Sequence, residues 1–405
     1  MGERGSQMGQ RTVPADPGPV IFSNDVRLTG RQWLGVGLFA ALLIVFAPSL
    51  WQRIENFPLK PDQRMPHDLS NDYWLYERYA ALAAANYDTL LLGDSVIWGE
   101  YVTGQETLSH YLNELADSER YANLGLDGAH PLALTGLIDH YGGSITRKNV
   151  LLQCNPLWMS SRRADLQDEK STDFNHPRLV PQFVTNVPSY KEEASGRIGI
   201  LVEQHLPFSR WTTHLQQAYY DRTDLPSWTL EHPYANPLEP LAREPPVSDN
   251  SRRHLPQPWY QSGISKQDYP WVDPETSLQW QAFQRLVRRL QQRGNRLFVL
   301  VGPFNEHLLD RESLGRYKVV KETIAAWLQS QQIAHAVPAP LASALYGDAS
   351  HPLAAGYAVL ARQLAEMPFF RSRTLRLSRD RDATVAKSRS QVGKVARTRN
   401  PCPSA

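Results

Sequence analysis

Five short apolar runs, each leading into a turn and then a helical period, constrain this chain more than any other feature. They are Thr89–Leu92, Tyr121–Leu124, Val150–Gln153, Leu297–Val301 and Ile333–Val337. Runs this short and this apolar fit buried strands. The segments between them carry a different period. Trp280, Phe283, Leu286, Val287 and Leu290 share one helical face, as do Val320, Ile324, Trp327 and Leu328. Asp273-Pro274 reads as N-cap and first turn of the former helix. Strand and helix in alternation predict an α/β fold, a parallel sheet of about five strands with helices on both faces. Such a sheet gathers its ligands at the C-terminal ends of its strands.

A second constraint lies upstream. Trp33 to Trp51 is nineteen residues without a charge, flanked by Arg31 and Arg53. A helix of that length spans about 28 Å, close to the hydrocarbon thickness of a bilayer. Tryptophan at each end suits the two membrane interfaces. The expectation is one transmembrane helix over 31–53, with residues 33–51 in the lipid. About thirty polar residues precede the run, which disfavours a cleaved signal peptide. Arg27 and Arg31 before it are matched by Arg53, Lys60 and Arg64 after it, so charge does not set the orientation. A single N-terminal span suggests a short inner tail and a large extracytoplasmic domain.

The remaining organisation follows from composition. Residues 1–30 are polar and rich in Gly and Pro, and are expected to be disordered. Residues 54–86 form a connector ending in a helix over Asn71–Ala85. The α/β domain covers 87–370. Within it, 156–275 holds fifteen of the thirty prolines and five of the eleven tryptophans. Proline at that density predicts a largely irregular insertion packed over the sheet edge, as a substrate wall or as a cover for apolar surface. From Arg371 onward there are ten Lys/Arg against two Asp, a disordered basic tail of net +8. The whole chain is +2, so the body is −6. Cys154 and Cys402 are the two cysteines, too few and too badly placed for a disulfide framework. The scattered histidines lack metal spacing. No dinucleotide fingerprint or phosphate loop occurs, and nothing points to nucleic acid or to a cofactor.

The turns after the strands hold the candidate chemistry. Gly93-Asp94-Ser95 follows the first strand and presents a hydroxyl at the sheet edge. A serine or aspartate there also serves as a helix N-cap. Asn123-Leu124-Gly125-Leu126-Asp127-Gly128 follows the second; glycine in such a turn can aim a backbone N–H at an oxyanion, or simply close the turn. Cys154-Asn155-Pro156 follows the third, and Asn155 offers a side-chain donor or a turn residue, with Cys154 a buried hydrophobe. Asn305-Glu306-His307 follows the fourth and supplies candidate substrate contacts. Asp348-Ala349-Ser350-His351-Pro352 precedes the last helix. A serine nucleophile needs a histidine base, and the base needs a carboxylate to orient it. Asp348 and His351 meet both needs within one loop, where Ser350 or Asp348 could also cap the helix that Pro352 opens.

As an ordered set, Gly-Asp-Ser, Asn-x-Gly-x-x-Gly, Asn and Asp-x-x-His-Pro resemble the SGNH, or GDSL-type, hydrolase superfamily over residues 87–370. The resemblance implies a flavodoxin-like α/β/α domain. It implies Ser95 as nucleophile, His351 as general base and Asp348 as its orienter. The implied oxyanion hole is the backbone N–H of Ser95, the N–H of Gly128 and the side chain of Asn155. Two positions depart from the pattern. The family's Gly-x-Asn-Asp is Gln153-Cys154-Asn155-Pro156 here, and Val96 replaces the usual leucine after the serine. The membrane helix ahead of such a domain resembles the SGNH-like proteins that assist O-acylation of cell-envelope polymers. The implied activity is hydrolysis of O-acyl esters, carbohydrate or lipid-like, through an acyl-serine. Two alternatives remain open: an O-acyltransferase of extracytoplasmic polysaccharide with a membrane acyl-donor protein as partner, and an inactive membrane-anchored binding or assembly protein.

Overall fold

A computed structural model describes residues 28–56, 64–170, 174–184, 186–243 and 252–371. Of the two expected disordered tails, residues 1–27 and 372–405 lie outside the described residues. The chain divides into two units, one ending at Gln52 and one beginning at Arg53.

In the first unit, helix α1 (Gly30–Ile54) is 25 residues long and apolar enough to cross a membrane. Leu34, Phe39, Val45 and Phe46 are all exposed, so the helix is apolar all round rather than on one stripe.

The second unit carries the sheet. Its elements, in chain order, are α2 (Tyr73–Asn86), β1 (Thr89–Gly93), α3 (Ser95–Trp98), α4 (Leu108–Ala116), β2 (Tyr121–Gly125), α5 (Pro131–Tyr141), β3 (Asn149–Cys154), α6 (Ala194–His205), α7 (Pro207–Tyr219), α8 (Leu225–Glu231), α9 (Leu278–Gln292), β4 (Arg296–Val301), α10 (Arg311–Ser330), β5 (Ala334–Ala336), α11 (Ala354–Ala365) and α12 (Pro368–Arg371). All strand pairs are parallel, in the order β2-β1-β3-β4-β5. This is the flavodoxin-like doubly wound order, with its switch point between β1 and β3.

Strand alternation makes the three layers. Leu90, Leu92, Val150, Leu152 and Val299 pack on one face with Tyr76 of α2, Leu137 of α5, Leu286 of α9 and Ile324 of α10. Leu91, Leu151, Phe298 and Leu300 pack on the other with Val96 of α3, Leu112 of α4 and Leu360 of α11. Each such leucine contributes about 1.5–3 kcal/mol by leaving water. The short α3 lies close on β2 because Gly125 has no side chain. A Cβ there would sit 2.3 Å from the Trp98 nitrogen.

Several local expectations are corrected. Within the 156–275 insertion the described chain forms three helices, α6, α7 and α8, flanked by longer stretches without α-helix. Pro207 and Pro226 sit in the first turn of α7 and of α8, where a missing N–H breaks no helical bond. Helix α2 starts two residues late, because Asp72 caps it by accepting from Leu75 N at 3.0 Å. Helix α9 is capped by Ser277, not Asp273, and Asp165 accepts from Leu278 N and Gln279 N at its first turn. Helix α11 starts at Ala354, and neither Ser350 nor Asp348 caps it.

Candidate active site

The turn after β1 is built around Asp94. Its backbone N–H donates to Gln153 Oε1 at 3.2 Å. Its Oδ1 caps α3 by accepting from Val96 N at 2.9 Å. Its Oδ2 accepts from Asn155 Nδ2 and from Trp158 Nε1, both at 2.8 Å. One carboxylate, 2 % exposed, therefore ties the turn after β1 to the turn after β3. Ser95 is the first residue of α3.

The turn after β2 is fastened to the same place. Asn123 Nδ2 donates to Ile97 O at 2.8 Å, and Leu126 N donates to Gly93 O at 3.1 Å. Gly128 takes φ +68°, a left-handed conformation that glycine reaches without strain. The backbone N–H groups of Ser95 and Gly128 make no hydrogen bond to another described residue. Asn155 accepts from Leu157 N at 3.1 Å and spends one of its two Nδ2 hydrogens on Asp94. The three expected oxyanion donors thus sit on the turns after β1, β2 and β3, each with an N–H to offer.

The loop before α11 supplies the rest. His351 Nε2 lies 2.8 Å from Ser95 Oγ. His351 Nδ1 lies 2.7 Å from Asp348 Oδ2 and 2.9 Å from Oδ1. That Oδ1 also accepts from the backbone N–H groups of Ser350 and His351, both at 2.9 Å. Burial pushes the Asp348 carboxyl up, but the His351 charge and these donors outweigh it, and its pKa falls to about 2. Burial pushes His351 down, but the Asp348 carboxylate, with Asp94 and Glu100 behind it, raises its pKa to about 9. Nδ1–H is therefore directed at Asp348, which leaves Nε2 for the serine.

Of the residues after β4, Asn305 is buried and supports this loop. Its Nδ2 donates to Asp348 O at 3.0 Å and its backbone N–H to Ala349 O at 2.8 Å. Glu306 pairs with Lys321, and His307 bonds the Leu341 carbonyl at 3.0 Å. These contacts all run to the protein itself. Cys154 is buried, and burial raises its thiol pKa.

Sequence reasoning missed the rim. Tyr101 lies over the His351 ring, with centroids 5.9 Å apart, and His254 lies 5.1 Å beyond it. His254 Nε2 and Arg253 Nη1 each reach Glu100 Oε1 at 2.9 Å. Residues 100 and 254 are too far apart in sequence for any local pattern to announce the pair. Among the described residues, no group of three or more His, Cys, Asp or Glu side chains is placed to hold a metal ion. A groove of about 550 Å³, lined by Gly136 and Leu201 among others, shares no residue with the site.

No protein-family model matches this chain, and no curated protein matches it.

Proposed function

We propose that the chain is a serine ester hydrolase of the SGNH type, with Ser95 as nucleophile. The observation that carries this reading is the run Asp348 Oδ2, His351 Nδ1, His351 Nε2, Ser95 Oγ, with gaps of 2.7 Å and 2.8 Å. Ser95 and the Asp348–His351 pair, more than 250 residues apart in sequence, meet at hydrogen-bond distance at the switch point of the sheet. A helix cap would explain Ser95 alone, yet Asp94 already caps α3.

The steps follow from the atoms. Ser95 Oγ attacks the ester carbonyl carbon while His351 Nε2 takes the hydroxyl proton. The carbonyl oxygen becomes an oxyanion, stabilised by the N–H groups of Ser95, Gly128 and Asn155. The C–O bond to the alcohol breaks, and His351 returns the proton to that alcohol. Water then attacks the acyl-serine, giving its proton to His351. The carboxylic acid leaves and Ser95 regains its proton. Asp348 holds the ring and balances the imidazolium without becoming protonated.

Helix α1 supports attachment to a membrane, and we propose that the domain lies outside the cytoplasm. Protease protection of the domain in sealed inverted vesicles tests that orientation; digestion there would refute it. For the chemistry, the full chain should hydrolyse p-nitrophenyl acetate and O-acetylated saccharides. Ser95→Ala should lower kcat/KM by about 10⁴-fold or more. A folded Ser95→Ala protein with full activity would refute the reading.

A further inference from the structure

The turn that carries Gly128 has a second face, and that face opens into a cavity of about 280 Å³. His67, Asp127, Gly128, Phe174, Asn175 and Arg222 are among its walls. We propose that this cavity is a saccharide subsite, which seats one sugar-sized, uncharged polyol unit of the ester substrate. The proposal rests on the acyl-serine reading above and narrows its substrate class from carbohydrate or lipid-like to carbohydrate.

The lining argues first. Asp127 Oδ2 is held by His67 Nε2 at 3.0 Å, with Arg253 Nη1 at 3.8 Å. Its other oxygen accepts no hydrogen bond from a described residue. The Asn175 amide makes no hydrogen bond to a described residue either. It sits 3.0 Å from where a Cβ on Gly128 would lie, so it borders the turn directly. A carboxylate accepts from hydroxyls, and an amide both donates and accepts. A polyol offers both partners, whereas an acyl chain would leave these polar groups desolvated and unpaired.

Charge argues next. Arg222 lies 3.0 Å from Asp68 Oδ1, and Arg253 faces both Glu100 and Asp127. The fixed cations around this cavity are matched by carboxylates. Two arginines face three carboxylates, Asp68, Glu100 and Asp127, so an anionic ligand would find no surplus positive charge, and a neutral hydroxylated ring meets no such repulsion. A volume near the small end of ligand sites suits one such ring rather than a long amphiphile.

Position argues last. Gly128 belongs both to this cavity and to the expected oxyanion donors. Arg253 also bridges Asp127 to Glu100, whose other partner His254 packs on Tyr101 above His351. A series of side-chain contacts through Tyr101, His254, Glu100 and Arg253 therefore links His351 to the cavity wall at Asp127.

The test is calorimetry on the full-length Ser95→Ala protein in a detergent without a sugar head group. The probes are O-acetylated hexose and N-acetylhexosamine oligosaccharides, with ethyl hexanoate as the lipid-like ester. We expect an acetylated saccharide to bind, and Asn175→Ala and Asp127→Asn each to weaken it tenfold or more. Asn175 is exposed and Asp127→Asn keeps its shape, so both variants should fold. Absence of saccharide binding, binding indifferent to both substitutions, or tighter binding of ethyl hexanoate would overturn the subsite. Binding to Ser95→Ala does not depend on chemistry at Ser95. Failure of the hydrolase reading would leave Ser95 unreactive in the unsubstituted chain, and is read separately.

Discussion

Replacing Asp94 with asparagine should disable the site without touching the triad. The carboxylate serves Val96 N through Oδ1, and Asn155 Nδ2 and Trp158 Nε1 through Oδ2. An amide has one acceptor oxygen. If it faces Asn155 and Trp158, its NH₂ confronts the Val96 N–H; if it turns, it confronts the other two. Losing one charge-assisted bond costs about 1.5–3 kcal/mol, and leaving a buried donor unpaired costs about 1–3 more. The expected loss is about 3–5 kcal/mol, a large part of an ordinary domain's 5–15. In catalysis, Asn155 is freed from its tether, and loss of one oxyanion donor lowers kcat by about 100-fold. KM should move little, because Asp94 is 2 % exposed and meets no substrate. Asp94 is also one of the charges that raise His351, behind Asp348, so the alkaline midpoint of the pH profile should shift down. Urea unfolding and initial rates of p-nitrophenyl acetate hydrolysis across pH measure all three effects. An Asp94→Asn protein with unchanged kcat and unchanged pH midpoint would refute the reasoning.

The pH dependence of the unsubstituted chain has a definite sign. His351 must be neutral to accept the serine proton, and its folded pKa is raised to about 9, so kcat/KM should rise with pH to a midpoint well above 6.5. The same shift stabilises the fold fully below the ordinary histidine value and is lost as pH climbs through about 9; the Asp348 contribution is present above the ordinary carboxylate value and is lost as pH falls toward about 2. Denaturant midpoints across pH check both. Gly125→Ala would drive a Cβ to 2.3 Å from the Trp98 nitrogen; displacing α3 should cost about 1–3 kcal/mol and lower kcat together, as unfolding and rate assays would record. His214→Ala would remove one partner from each of two buried carboxylates, Asp72 Oδ2 at 2.6 Å and Glu55 Oε1 at 2.7 Å, leaving Asp72 with Leu75 N and Glu55 with Arg78 and Tyr219. Its expected cost is about 3–5 kcal/mol, with kcat of the folded protein near normal, since none of these groups touches the triad.

The sheet was legible because its strands are buried on both faces. Thr89–Leu92 and Leu297–Val301 need no polar side, so each shows as an apolar run that ends at a glycine-bearing turn. The site was legible for a related reason. A parallel sheet sends the turns after β1, β2 and β3 to one edge, so Ser95, Gly128 and Asn155 had to gather once their strands were found. What stayed hidden depends on long-range pairing. Prolines 207 and 226 read as helix breakers, and only the fold reveals that they occupy first turns. The Glu100 contact with Arg253 and His254 joins segments with no shared pattern. His214 lies between Glu55 and Asp72, more than 140 residues away, and its sequence neighbours give no hint of it. After β4, Asn305 showed as polar and near the edge, but its role in holding the Asp348 loop depends on a backbone carbonyl that composition does not mark.

The most direct test of the central claim is covalent. The full-length protein is treated with a fluorophosphonate, digested, and the modified peptide is sequenced by mass spectrometry. The account predicts a single phosphonylated site at Ser95, abolished in His351→Ala while that variant remains folded. A folded protein that takes no label, or takes it at another residue with Ser95 untouched, would contradict it.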